Sequence, residues 1–138
     1  MKALLFSLAL GLVATGTAQA RSILTFKTVY KCVLADAPLS DELVITVQEA
    51  QDGQSQLVVK FLEDREASKI QTVKVLPPPM MAGGSIRYEG RFTGMSGQFT
   101  SLAITSRPRN VEGVKGRGAS FTVDQLFDKL PMICTFVK

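Results

Sequence analysis

Eight stretches of alternating or β-branched residues follow one another between Leu24 and Val137, with turn residues separating them. This pattern constrains the fold more than any other feature, because a period of two sends successive side chains to opposite faces of a strand. "LTFKTVYKCVL" sets Leu24, Phe26, Tyr30, Cys32 and Leu34 on one face and Lys27 and Lys31 on the other. "ELVITVQE" and "SQLVVKFLE" come next, joined through Asp52-Gly53, a strong hairpin-turn signal. "SKIQTVKVL" follows the charged turn "EDREA", and "SIRYEGRF" alternates Ile86, Tyr88 and Phe92 against Arg87, Glu89 and Arg91. "QFTSLAIT", "GRGASFTV" and "PMICTFV" complete the series. Short strands at this spacing predict an all-β barrel or sandwich. One short helix is expected before the last strand. In "VDQLFDKLP", Val123, Leu126, Phe127 and Leu130 share a helical side, Asp124 can cap it and Pro131 can stop it.

The two cysteines favour a barrel over a sandwich without deciding between them. Cys32 lies in the first strand segment and Cys134 in the last. An exported chain with two cysteines is expected to pair them, and a bond there requires the first and last strands to be neighbours. In a closed barrel they are. The fold class expected is therefore all-β: one small antiparallel barrel of about eight strands, one short helix, and a Cys32–Cys134 disulfide across the closing seam. An outer-membrane barrel would need an apolar outer band roughly 25 Å tall. Here Lys27, Lys31, Arg87, Glu89 and Arg91 stand opposite the apolar set, so no transmembrane segment is expected.

The N-terminus has the form of an export signal. Lys2 precedes the apolar run "ALLFSLALGLVA", and "AQA" ends at Ala20 with small residues where signal peptidase reads them. Residues 1–20 are read as a signal peptide and 21–138 as a single barrel domain, periplasmic or secreted. Without Lys2, fifteen lysines and arginines face twelve carboxylates, a mild excess of +3.

Composition removes most chemistries. With no histidine, Ser-His-Asp and Cys-His catalysis and histidine-ligated metals are excluded. With both thiols oxidised, no cofactor or metal is expected. Carboxylate chemistry would have to come from Asp36, Asp41 and Glu42 or from Glu63, Asp64 and Glu66. Both sets lie in turns between strands, where charge ordinarily blunts strand ends. The protein is expected not to be an enzyme.

Two features point to binding. "TSRPRNVEGVKGRG", read as the long connection before the seventh strand, carries Arg107, Arg109, Lys115 and Arg117 against Glu112. Such a loop can attract an acidic protein, a polyanion or phospholipid head groups. It has no stacking aromatics of the kind single-stranded nucleic acid requires, so no nucleic acid is expected. The second feature is "LPPPMMAGGS", Leu76 to Ser85. Its prolines cannot donate to a sheet ladder, so it connects two strands of one barrel. Met80 and Met81 either cover the barrel end or contact a partner.

"YKC" at Tyr30 to Cys32 and "AGGSIRY" at Ala82 to Tyr88 resemble motifs of the bacterial periplasmic lysozyme-inhibitor family, small exported β-barrels with a disulfide. The chain departs from that family in lacking tryptophan and in being longer. The resemblance implies a barrel fold and inhibition of a hydrolase. Two functions are thus expected. One is a non-enzymatic, exported binding module for a small ligand or an anionic partner; the other is an inhibitor of an extracytoplasmic hydrolase, lysozyme- or protease-type, acting through a projecting loop.

Overall fold

A computed structural model describes residues 25–76, 85–92 and 97–137. The signal-peptide reading and the roles of Met80 and Met81 lie outside these residues. Eight strands run in chain order: β1 (Phe26–Leu34), β2 (Leu43–Ala50), β3 (Ser55–Phe61), β4 (Ser68–Val75), β5 (Ile86–Arg91), β6 (Phe99–Val111), β7 (Val114–Val123) and β8 (Phe127–Phe136). Each pairs antiparallel with the next, and β8 pairs back onto β1, closing the barrel. Cys32 and Cys134 are direct partners in that last ladder and are joined by a disulfide, their Cα atoms 4.0 Å apart. Closure leaves no sheet edge along the seam, and the bond lies wholly inside it.

The interior is filled. Ile45, Val47, Leu57, Val59, Ile70, Tyr88, Leu102, Ile104, Phe121, Val123 and Met132 point inward and are all but sealed from solvent. They recur at every second position, as period two requires. Each contributes about 1.5–3 kcal/mol by leaving water. One end is plugged by Phe127, stacked 6.2 Å from Phe61 and tilted against Phe121 at 6.3 Å.

Three local readings of the sequence are corrected by the register. Among the described residues there is no helix, and "VDQLFDKLP" forms a turn at Asp124–Leu126 that leads into β8. Gln125 is left-handed at φ 70°, and the Leu126 N–H donates to the Val123 carbonyl at 2.9 Å. The helical spacing has a cause. A register shift between Phe121 and Val123 inserts one extra residue in β8 near Lys129, itself left-handed at φ 52°. Phe127 and Leu130 can then both pack on the core three residues apart, so a bulged strand imitates an i, i+3 pattern.

A second bulge acts on β1. Val29 is extra between Thr28 and Tyr30, so the inner face of Tyr30 and Cys32 does not continue to Phe26. Lys27, opposite Glu49, takes that face instead.

The third correction concerns the long basic connection, which is a β-hairpin. β6 continues to Val111 and β7 begins at Val114, with Glu112-Gly113 as a two-residue turn at φ 52° and 85°. Two consecutive left-handed residues match the twist of paired strands.

Candidate functional site

Because the strands alternate up and down, one end of the barrel collects the start of β1, the β2–β3 turn, the end of β4, the start of β5, the β6–β7 hairpin and the end of β8. The hairpin makes this end distinctive. β5 last pairs with β6 at Ile86↔Ile104, and β6 then runs on to Val111. Four register pairs, Pro108↔Arg117 to Val111↔Val114, carry the hairpin past β5 by roughly 10 Å at strand rise, while β7 stays beside β8, with Arg117 opposite Cys134 and the Lys115 carbonyl accepting the Thr135 hydroxyl at 2.9 Å. All four cations singled out in the sequence, Arg107, Arg109, Lys115 and Arg117, are exposed on it.

The hairpin is held by residues that sequence reasoning passed over. Thr105, Ser106 and Arg107 bulge opposite Gly118. The Thr105 hydroxyl donates to the Gly118 carbonyl at 2.8 Å and accepts the Arg107 N–H at 3.3 Å, which fixes where Arg107 leaves the strand. Pro108 closes the bulge, one of the few strand positions that tolerates proline. Across from Arg109, a Cβ on Gly116 would stand 2.4 Å from the Cys134 carbonyl oxygen, so β7 and β8 can approach this closely only with glycine there. A Cβ on Gly118 would lie 3.8 Å from Arg109 Cδ, which places the arginine stem over that glycine. Pro108, Arg109, Asn110, Lys115 and Gly116 line an open hollow of about 260 Å³ on the hairpin. Guanidinium groups in such a setting offer planar, bidentate donors to carboxylate or phosphate.

Beneath the hairpin, the barrel mouth carries a polar group that the sequence did not announce. Glu49, Lys74 and Tyr88 all point inward, from β2, β4 and β5. The Tyr88 hydroxyl donates to Glu49 Oε2 at 2.7 Å, and Lys74 Nζ lies 3.1 Å from the same oxygen. Burial acts to raise the Glu49 pKa, but the Tyr88 and Lys74 hydrogen bonds outweigh it and hold the carboxyl below its ordinary value. Burial, followed by the Glu49 carboxylate, pushes the Tyr88 phenol well above its ordinary value. Nearby, the Ser55 hydroxyl lies 3.0 Å from the Thr72 carbonyl and 2.9 Å from the Thr72 hydroxyl. Among the described residues the mouth is thus lined by satisfied polar pairs, beside an open hollow of about 360 Å³ bounded by Thr25, Lys27, Val29, Glu49, Ala50 and Gln51.

Charge is divided between the two ends. Among the described residues, the hairpin end has Lys27, Lys74, Arg87 and the four hairpin cations against Glu49, Asp52, Glu89 and Glu112, with Lys74 paired to Glu49 and Arg87 to Glu89. The opposite end has Asp36, Asp41, Glu42, Glu63, Asp64, Glu66, Asp124 and Asp128 against Lys60, Arg65, Lys69, Arg91 and Lys129. Both carboxylate sets considered for catalysis thus fall at that opposite end, on the β1–β2 and β3–β4 connections. Among the described residues, no group of three or more metal-ligating side chains could hold a metal ion.

Fold and site define a disulfide-closed, eight-stranded up-and-down barrel with a basic hairpin projecting from one end. No protein-family model, curated protein or solved structure matches the chain. Tyr30 and Cys32, which carry half of the lysozyme-inhibitor resemblance, are core residues here. Tyr30 packs edge-on against Phe136 at 5.5 Å, and Cys32 is in the seam disulfide.

Proposed function

We propose that this is an exported, non-enzymatic binding module that captures an anionic macromolecular partner through the β6–β7 hairpin. The observation that carries this reading is a filled barrel with one projecting basic hairpin. The barrel interior gives a small ligand no room among the described residues, since Tyr88, Phe121, Met132 and their neighbours fill it, which supports a partner met at the surface. The hairpin instead offers four exposed cations on a backbone braced by Thr105 and Gly116. The disulfide is consistent with an oxidising compartment outside the cytoplasm.

Retention on immobilised poly-glutamate tests the reading. The wild-type protein should be retained at low salt and released as salt rises. Arg107→Glu with Arg109→Glu should flow through. Lys60→Glu with Lys69→Glu makes the same change in net charge at the opposite end and should still be retained. Equal loss in both variants would reduce the effect to net charge and remove the hairpin from the argument.

The inhibitor reading is a special case, favoured by the hairpin's projection. In it the hairpin enters the carboxylate-lined cleft of a hydrolase outside the cytoplasm. Inhibition of such an enzyme by wild type, and not by the Arg107/Arg109 variant, would select it.

A further inference from the structure

We infer that the partner met by the hairpin end is an anionic lipid bilayer surface, on which the barrel stands with its acidic end turned away. This rests on the anionic-partner reading and goes beyond it by choosing the partner's class. Three observations favour a lipid surface over an acidic protein.

First, among the described residues of this end, exposed cations stand on β1 (Lys27) as well as on both strands of the hairpin, while Lys74 on β4 and Arg87 on β5 are paired with Glu49 and Glu89. A cleft in a protein reads one loop, whereas a charged plane reads an entire end. Second, the same end exposes apolar side chains beside its excess of cations, whereas Leu39, Leu62 and Leu126 are exposed among the carboxylates of the far end. Leu76, where the chain leaves β4, is 64% exposed, and Phe136 at the end of β8 is 58% exposed. Cations beside exposed apolar residues are the combination that holds a peripheral protein at the head-group boundary. Each cation close to an anionic leaflet strengthens binding by roughly fivefold, and burying one leucine or phenylalanine side chain adds roughly tenfold or more. Third, the excess of carboxylates lies at the far end. The shortest strands, six and seven residues long and tilted by about 40° as closure requires, separate the two ends by roughly 15–20 Å, about two Debye lengths at physiological salt. With the hairpin down, the acidic end sits mostly outside the surface potential and opposes little; inverted, it is repelled. The charge division therefore selects one orientation on a plane.

The experiment is co-sedimentation of the purified protein with vesicles of phosphatidylcholine alone and of phosphatidylcholine containing ~30% phosphatidylglycerol, in about 0.1 M salt. Residues 1–20 carry Lys2 and no carboxylate and would themselves favour anionic vesicles if retained, so the hairpin's share is read from the charge-reversal variants, which leave that segment unchanged. Partition into the anionic vesicles should be at least about tenfold stronger, and should disappear near 0.5 M salt. Arg107→Glu with Arg109→Glu should abolish the difference, with Lys115→Glu and Arg117→Glu as a second, independent pair. Lys60→Glu with Lys69→Glu should leave it within about twofold. Leu76→Ser alone should weaken binding by roughly tenfold without changing the salt dependence. Equal partition into both vesicle types overturns the lipid inference. If poly-glutamate retention through Arg107 and Arg109 persists in that case, the anionic-partner reading stands with an acidic protein in place of the bilayer. Loss of both removes both.

Discussion

Replacing Cys32 and Cys134 together by alanine removes the one covalent link across the β1–β8 seam, and the structure sets the size of the effect. The cysteines are 102 residues apart in sequence, so the bond closes nearly the whole domain into a loop. In the chain-entropy model such a loop is worth about 4.7 kcal/mol, all of it through the unfolded chain. The folded barrel does not depend on the bond for closure. β1 and β8 are also held by register pairs from Tyr30↔Phe136 to Leu34↔Met132, and Ala35 N–H donates to the Pro131 carbonyl at 3.0 Å. The double variant should therefore still fold as a barrel, with stability lower by about 3–5 kcal/mol. Urea unfolding followed by far-UV circular dichroism checks this. With a slope of about 2 kcal/mol per molar, the midpoint should fall by roughly 2 M. The slope itself should rise, because an uncrosslinked unfolded chain exposes more surface. A midpoint shift below about 0.3 M with an unchanged slope would refute the reasoning, since the unfolded state would then be indifferent to the bond.

Other consequences are equally measurable. Glu49 has its pKa held below the ordinary value in the folded state, so its contribution to stability is complete above about pH 4.3 and is lost as pH falls below that. Glu49→Gln should accordingly flatten the acid limb of stability against pH, and an unchanged limb would show that the Tyr88 and Lys74 contacts do not favour the carboxylate. Tyr88 has its pKa raised, so its contribution is present below about pH 10 and declines as pH rises beyond it. In Tyr30→Phe, where Tyr88 is the sole tyrosine, tyrosinate absorbance should appear only with alkaline unfolding; ionisation while the barrel remains folded would contradict the burial argument. Gly116→Ala should cost about 2–3 kcal/mol, because its Cβ meets the Cys134 carbonyl, while Gly118→Ala should cost less than about 1 kcal/mol. Equal thermal shifts for the two would mean that β7 moves away from β8 without strain.

Strand positions and the inward-facing set were legible because burial on one side of a strand imposes a period of two, and Ile45, Val47, Leu57 and Val59 obey it. The seam followed from two cysteines, one in each terminal strand, since a bond between them demands adjacency. The absence of histidine and the clustering of Arg107, Arg109, Lys115 and Arg117 are likewise properties of the chain itself. Bulges were not legible. At Val29 and around Lys129 one extra residue shifts the register, which moves Lys27 to the inner face and gives Phe127 and Leu130 a helix-like spacing. Local periodicity carries no mark that separates such an insertion from a change of element, because the partner strand alone defines what is extra.

Only the tertiary structure could unite Glu49, Lys74 and Tyr88, which belong to three strands and meet because the barrel curves their inner faces toward one mouth. Only it could turn a loop-like basic segment into a hairpin, since Pro108 suits a strand once a bulge receives it, and Gly116 suits one once β8 presses against it. The division of charge between the two ends has the same origin. Along the chain, acidic and basic residues are interspersed; the up-and-down winding sorts alternate connections to opposite ends. Composition determined how much charge this protein carries, and topology decided where it stands.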